Sequence, residues 1–477
     1  MSETLRPDIC IIGAGAAGLS LAASAAALGV ATVLIERDRM GGECLNSGCV
    51  PSKALIAAAR AAKGPPAALL GPGAGPAPLD HADVRAHIRR VIGSIAPNDQ
   101  AERYAALGVT VIKEEASFVD RETVAVGDSL VKARRFVIAT GSQPAIPALV
   151  GLETVPYLTS ETVFDLPERP RHLLIIGAGS TGAELGQAFR RLGSEVTLFE
   201  SGSLLAREDR DLAGIVDGSL RRDGVTLREN VRLTAAAAIS GVRLHYSDAA
   251  SMPREVTGTH LLIAAGRIPR IEALGLEAGF IKHDKDGIIV DHGMRSSNPR
   301  VFAIGDCAGG AAAGQRSTHA ATLQAGLVIR RALFRLPGRF ESATVPRVIY
   351  TDPEIAAVGL SEEEGRARHG AIRILRFPFA ETDRARTDAE PEGLVKLIAT
   401  PRGRILGAGI CGKGAGEMIS LWALALRERM PLSKIAGLAV PYPTLGEASR
   451  RAALEFYAPL ARRPLVRRIM RFLRAFG

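Results

Sequence analysis

Two copies of one glycine pattern constrain this 477-residue chain most strongly. The apolar run Asp8–Ile12 ends in Gly13, a helical stretch follows from Ala14 to Leu28, and a second apolar run, Ala31–Ile35, ends in Glu36. The arrangement returns with Leu173–Ile176, Gly177, a helix to Leu192, and Glu195–Phe199 ending in Glu200. Each copy reads as strand, helix, strand. In Gly13-x-Gly15-x-x-Gly18 the first glycine permits the turn and the second lets the backbone approach a pyrophosphate. The third lets helix and strand pack closely, and the helix N-terminus faces the phosphate charge. Gly177-x-Gly179-x-x-Gly182 repeats it. Glu36 follows Gly13 by 23 residues and Glu200 follows Gly177 by the same 23, an interval suited to binding a ribose hydroxyl. The expected fold class is therefore α/β, with two Rossmann-like dinucleotide-binding domains. A carboxylate at Glu200 accepts from a 2′-hydroxyl and repels a 2′-phosphate, which favours NADH over NADPH. Arg207 lies nearby and works against that preference.

Cys44 and Cys49 sit in Gly41-Gly42-Glu43-Cys44-Leu45-Asn46-Ser47-Gly48-Cys49-Val50-Pro51-Ser52-Lys53. A ring this short adds only roughly 2 kcal/mol as a staple. The pair makes more sense as a disulfide that opens and closes. A zinc site is set aside, because no second ligand pair stands at zinc spacing, and no structural metal is expected. Pro51 suits the first turn of a following helix. That puts Cys49 near a helix N-terminus, where the dipole favours a thiolate. Cys49 is thus the candidate thiolate and Cys44 the candidate attacking thiol. Cys10, Cys307 and Cys411 read as packing residues. Five cysteines in all are too few for a secreted framework, so a cytoplasmic location is expected.

The chain is long enough for two or three domains. Ile9–Ile35 is uncharged and long enough to span a bilayer, but its glycine spacing assigns it to the first strand–helix–strand unit instead. The glycine- and proline-rich stretch Lys63–Asp80 reads as a surface loop, and a helix follows around Val84–Ile95. From about Ser342 the glycine motifs stop and a separate α+β unit runs to about Tyr457. The net charge is +10, of which Arg462, Arg463, Arg467, Arg468, Arg471 and Arg474 supply six. No nucleic-acid motif accompanies them and aromatic content is 4%, so nucleic acid is not an expected partner.

Together these motifs resemble the class I pyridine nucleotide-disulfide oxidoreductases, or flavin-disulfide reductases, among them mercuric reductase and dihydrolipoamide dehydrogenase. The stretch Gly41–Lys53 matches the family's redox motif at every fixed position. Ala139-Thr140-Gly141-Ser142 looks like the family's crossover segment, and Gly266-Arg267-Ile268-Pro269 like the return from the nicotinamide domain. Val301–Asp306 looks like the second flavin motif. The resemblance implies an FAD-binding domain at residues 1–150 and 268–340, an NAD(P)-binding domain at 151–267, a C-terminal α+β dimerisation domain at 341–460, and a homodimer. FAD contacts are then implied for Gly13, Gly15, Gly18, Glu36, Gly42, Lys53, Ala116, Thr140, Gly141, Ser142, Gly305, Asp306 and His319. NAD contacts are implied for Gly177, Gly179, Gly182, Glu184, Glu200, Val231 and Gly266. Lys53 and Glu184 look like the ion pair beside the flavin. The implied relay runs from nicotinamide to flavin, to the Cys44–Cys49 disulfide, to substrate.

One position departs from the dithiol-handling members. They carry a His-Pro near the C-terminus, donated to the other subunit as acid and base, with a Glu five residues later. Here Tyr442 takes the histidine place and Glu447 the glutamate place. Near pH 7 about one free phenol in 10³ is ionised, so efficient dihydrolipoamide turnover is not expected. The plainer reading is that Tyr442 fills the interface. Mercuric reductases resemble this chain in having Tyr there, and in Asp352 after Thr351. A soft metal ion bound by thiolates needs no proton shuttle, so Cys44 and Cys49 are candidate transient soft-metal ligands. Mercuric members also present a C-terminal cysteine pair, whereas the last cysteine here is Cys411. The acceptor therefore stays open between a soft metal ion and another electrophile. The alternatives are a dihydrolipoamide-dehydrogenase-type enzyme, or a membrane-recruited flavin scaffold with little turnover. Leu465, Ile469, Phe472 and Phe476 recur at helical spacing in the basic tail, 461–477. That tail reads either as an amphipathic helix on an anionic membrane or membrane protein, or as a solvated basic end.

Overall fold

A computed structural model describes residues 4–65, 79–238, 241–310, 313–314, 316–461, 464–474 and 476. Most of the expected loop Lys63–Asp80, and Arg462 and Arg463 of the tail, lie outside these residues. The chain forms two compact units. One comprises Met1–Ala62, Pro78–Ser201 and Leu227–Ser342; the other comprises Lys63–Ala77, Gly202–Thr226 and Ala343–Gly477.

The first unit holds both glycine repeats. One five-stranded sheet has the order Val301–Ala303, Arg135–Ile138, Ile9–Ile12, Thr32–Ile35, Thr110–Ile112, every neighbouring pair parallel. A second has the order Tyr157–Leu158, His260–Ile263, His172–Ile176, Glu195–Phe199, Thr226–Arg228. Ile9–Ile12 and Thr32–Ile35 are buried at every position, and Glu195–Phe199 at every position after Glu195, as parallel strands covered on both faces must be. The uncharged run Ile9–Ile35 is thus strand, helix (Ala16–Ala27) and strand, and among the described residues no helix is long and apolar enough to cross a membrane. The helices begin at Ala16 and Ser180, later than expected for the first, because Gly15 and Gly179 stay extended as the residues preceding them.

The glycines are required sterically. Gly13 (φ +109°) and Gly177 (φ +103°) have left-handed backbones, and a Cβ on either would lie 2.4 Å from a carbonyl oxygen of the neighbouring strand's exit, Ala139 or Ala264. A Cβ on Gly18 or Gly182 would lie 1.9 Å from the oxygen of Gly13 or Gly177. Gly179 is open on its Cβ side, with nothing within 4 Å.

The second unit is built on a five-stranded antiparallel sheet, ordered Arg347–Ile349, Glu354–Gly359, Ile405–Gly412, Leu394–Ala399, Arg373–Pro378. Helices Ala415–Arg427 and Glu447–Glu455 contribute to its core, where the chain's lone tryptophan, Trp422, is fully buried and donates to Ser449 Oγ at 3.1 Å. The helix Arg210–Asp223, capped by Asp209, belongs to this unit. Lys396, 5% exposed, meets Asp209, Asp211 and Glu362 at 2.7, 2.8 and 2.9 Å. Burial opposes its charge, but the bonds to the three carboxylates outweigh burial and raise its pKa. Lys396→Met is therefore expected to destabilise this unit by about 1–3 kcal/mol, because three partly exposed carboxylates lose a shared cation while Arg376 still holds Asp211 and Glu362. Denaturant unfolding followed by Trp422 fluorescence reads this unit selectively, and an unshifted midpoint would refute the expectation.

Candidate functional site

Gly41 (φ +85°) and Gly42 (φ +57°) turn the chain into a short helix, Gly42–Asn46, that carries Cys44. Asn46 Nδ2 donates to Met40 O (3.0 Å) and Gly42 O (2.8 Å), closing this turn. A Cβ on Gly42 would lie 2.7 Å from Gly15 Cα, so the cysteine loop rests directly on the first glycine fingerprint. The helix Cys49–Lys63 then begins at Cys49 itself.

The two sulfurs lie 3.4 Å apart as free thiols, Cys44 half-buried and Cys49 exposed. Thr318 Oγ1 lies 2.6 Å from Cys44 Sγ and 3.6 Å from Cys49 Sγ. Thr318 opens the helix Thr318–Ala332, whose start Ser317 caps. The thiols are unequal. The hydrogen bond from Cys44 holds Cys49 down to about 6 against the pull of burial, with help from Thr318 and Lys53. Cys44 is pushed far up, first by that same bond to Cys49 and then by burial. Cys49, at a helix N-terminus, is thus the more acidic thiol of the pair. Replacing Thr318 with Val removes a hydroxyl shared by both sulfurs. The midpoint for alkylation of the reduced pair by iodoacetamide is expected to move above about 6, and an unmoved midpoint would contradict it.

Below the pair, Lys53 Nζ meets Glu184 Oε2 at 2.8 Å, joining the cysteine helix to the helix of the second fingerprint, Ser180–Arg191. Glu43 Oε2 meets Arg267 Nη2 at 2.5 Å. Arg267 Nε donates to Ser142 Oγ (2.8 Å), and Ser142 Oγ donates to Asp306 Oδ2 (2.7 Å). Burial raises the Glu43 carboxyl to about 7 although Arg267 pulls it down. Thr318, Glu43 and Arg267 were not singled out as site residues in the sequence. Glu43 was visible as an acid wedged between Gly42 and Cys44, but Thr318 reaches the sulfurs only through the fold.

The two dinucleotide sites are built alike. Ala14 N donates to Glu36 Oε2 (2.6 Å) and Ala178 N to Glu200 Oε2 (2.8 Å), so each acid sits at the mouth of its glycine turn. Val231 N donates to Glu200 O at 3.1 Å, which places Val231 beside the second acid. Ala116 is buried in the strand Ala116–Phe118. Thr140 Oγ1 donates to Arg270 O (2.7 Å), Gly141 and Gly266 have left-handed backbones, and Gly305 N donates to Gln324 Oε1 (2.8 Å). His319 Nε2 lies 3.2 Å from Ser317 Oγ. Glycines that admit no Cβ, helix N-termini without a side-chain cap and a carboxylate at the mouth of each turn together fit one dinucleotide at each repeat.

In the second unit Tyr442 and Glu447 do not pair. Tyr442 is exposed and its hydroxyl donates to Asp383 Oδ2 at 2.8 Å, which raises the phenol's pKa further. Glu447 Oε1 is held by Arg451 at 2.7 Å, while its buried Oε2 has no hydrogen-bond partner among the described residues. Asp383 carried no signal in the sequence. Cys10, Cys307 and Cys411 are buried, and burial pushes their thiols up and out of reach of thiolate chemistry. No cluster of three or more His, Cys, Asp or Glu ligands exists among the described residues.

Residues 7–325 match the pyridine nucleotide-disulphide oxidoreductase family, and residues 345–453 match its dimerisation domain. A mercuric reductase of Streptomyces lividans is 33% identical over 95% of this chain and 97% of its own length. Dihydrolipoyl dehydrogenase 3 of Pseudomonas aeruginosa is 34% identical over 94% of this chain and 98% of its own. Among solved structures, the Cu(II) complex of the HOCl-induced flavoprotein disulfide reductase RclA of Escherichia coli superposes with a TM-score of 0.82 at 27% identity, covering 93% of this chain and 98% of that one.

Proposed function

This chain belongs to the pyridine nucleotide-disulphide oxidoreductases, and from that premise we propose that it is an NADH-dependent reductase whose Cys44–Cys49 pair serves a soft metal ion or a comparable electrophile. It is a flavoprotein enzyme of a family that uses FAD and NAD(P)H, with an α/β fold and a C-terminal dimerisation domain. FAD would be held at 1–150 and 268–340, by the Gly13–Gly18 turn, Glu36, Thr140–Ser142 and Gly305–Asp306. The nicotinamide dinucleotide would be held within 151–267 by the Gly177–Gly182 turn and Glu200. Bound flavin supplies the two-electron exchange between a nicotinamide and the sulfur pair.

The chain's own residues do the rest. Glu200 accepts a ribose hydroxyl and repels a 2′-phosphate, which selects NADH. Cys49 rests as a thiolate, and Cys44 stays protonated until its electrophile arrives. The net reaction couples oxidation of NADH to NAD⁺ and H⁺ with transfer of two electrons to the acceptor, one Hg(II) or two Cu(II) per NADH. The observation that carries the choice of acceptor is the Tyr442–Asp383 bond. A phenol tied to a carboxylate is a poor shuttle for the proton that a dithiol or disulfide substrate must exchange, whereas a thiophilic ion needs none. The names of the relatives, mercuric reductase and a Cu(II) complex, run the same way. The second reading, a dihydrolipoamide dehydrogenase, is favoured by the 34% identity to such an enzyme and by the retained Glu447. The intact sulfur pair argues against a turnover-poor scaffold. Two copies would pair through 341–460, with the enzyme in the cytoplasm.

Anaerobic titration with NADH or NADPH, then mixing with Hg(II), Cu(II), lipoamide, glutathione disulfide or a quinone, tests this. Reduction by NADH at lower concentration than NADPH and fastest reoxidation by a metal ion are expected. Fast reoxidation by lipoamide would reverse the ordering.

A further inference from the structure

The basic tail folds into a helix that no part of the proposed reaction uses. It spans Pro464–Leu473, and the dimerisation-domain match ends earlier, at residue 453. No side chain of the helix is buried. Leu465, Ile469, Met470, Phe472, Leu473 and Phe476 are 47–74% exposed, and the rings of Phe472 and Phe476 lie edge to face at 4.9 Å. At 3.6 residues per turn, Leu465, Val466, Ile469, Met470, Phe472 and Leu473 cover an arc of about 160°. Arg467, Arg468, Arg471 and Arg474 fill a separate arc of about 120° with no overlap. Arg474 N still donates to Met470 O (3.1 Å), so the last arginine keeps the helical register. The last acid in the chain is Glu455, so nothing negative interrupts the tail.

We infer that this helix is a membrane-surface anchor: it lies in the headgroup plane of an anionic bilayer, with its apolar arc among the acyl chains and its arginines on acidic lipid headgroups. Each alternative occupant leaves one arc unsatisfied. A nucleic acid would satisfy the arginines and leave the Phe and Leu side chains in water. A second copy of the helix would pair the apolar arcs but turn both arginine rows outward, away from any acidic partner. An anionic bilayer satisfies both at once, since interfacial binding scales with buried apolar area and with attraction to acidic lipids. The helix is too short to span a bilayer, so the anchor is peripheral and reversible.

Vesicle flotation with the full-length, flavin-loaded protein tests the assignment. Vesicles containing phosphatidylglycerol are expected to carry the protein, and pure phosphatidylcholine vesicles are not. The double variant Leu465→Asp, Phe472→Asp is expected to lower partitioning about tenfold or more, as is Arg467→Gln, Arg468→Gln, Arg471→Gln together. Unchanged flavin absorbance and NADH-driven flavin reduction in both variants would show that the fold survives. No flotation on acidic vesicles would overturn the proposal, and so would equal flotation on the neutral ones. Flotation that ignores the aspartates would leave only a loose electrostatic contact and also overturn it. A change in oligomeric size caused by the aspartates would reassign the arc to a contact between copies. The outcome is independent of which acceptor the sulfur pair serves.

Discussion

Cys44→Ser protein is expected to purify with its flavin and to lose turnover with its preferred thiophilic acceptor by at least about 10³-fold. Cofactor retention follows from the cradle. The glycine turns, Glu36 and Asp306 do not use the Cys44 sulfur, and the close approach of Gly42 to Gly15 depends on backbone alone. The loss of turnover follows from chemistry. A hydroxyl at this position neither ligates a soft ion nor closes a disulfide with Cys49. The substitution also weakens the largest influence that lowers Cys49, the hydrogen bond from Cys44. Its pKa is depressed in the native dithiol, so thiolate character is present above about 6 and is lost as pH falls through that value. In Cys44→Ser protein the remaining thiolate is expected to titrate at higher pH. Steady-state rates with Hg(II) or Cu(II), beside rates with a quinone that needs no thiol, check the prediction. Equal loss with both acceptors would indicate a damaged fold. No loss with the metal would mean that electrons leave without the sulfurs.

The fold was legible where backbone geometry demands one residue type. Gly13, Gly18, Gly177 and Gly182 cannot carry a side chain, so each marks its turn in the sequence, and the acids that follow them by a fixed interval were legible for the same reason. The Lys53–Glu184 bond was readable only through the family resemblance, because nothing in local periodicity brings residues so far apart together. Contacts made by the fold alone were invisible. Thr318 lies far along the chain from the sulfurs it touches, and a threonine beginning a helix carries no distinguishing pattern. Asp383 is similarly remote from Tyr442. The ionic cluster on Lys396 was missed because charged residues usually stay exposed, and only the sheet's packing buries this one. The helix Arg210–Asp223, counted by sequence with the nicotinamide region, packs into the second compact unit, where Asp209 and Asp211 bind Lys396.

Tyr442→His is expected to raise NAD⁺-linked dihydrolipoamide oxidation by about 10²-fold, the lower end of what a positioned acid–base group contributes. The argument rests on what the site lacks and on what it retains. At Tyr442 the hydroxyl is spent on Asp383, and that bond moves the phenol further from neutrality. An imidazole titrates near 6.5, so both of its protonation states are populated where the enzyme works. The retained element is Glu447. In the family the glutamate at this position follows the catalytic histidine by five residues, and here its buried Oε2 has no partner among the described residues, while Arg451 holds Oε1 in place. An imidazole in place of the Tyr442 phenol would offer that oxygen an N–H donor, fixing its tautomer and leaving the other nitrogen for the substrate thiol. Tyr442→Phe serves as the control. It removes the Asp383 bond without supplying a proton acceptor, and is expected to leave the dihydrolipoamide rate within about threefold of the parent, against the 10²-fold or more that a real acid–base group gives. If the Tyr442→His variant binds flavin and is reduced by NADH normally yet gains nothing, the missing proton shuttle is not what separates this enzyme from the dithiol-handling members. Substrate access to Cys44 would then be the remaining difference to measure.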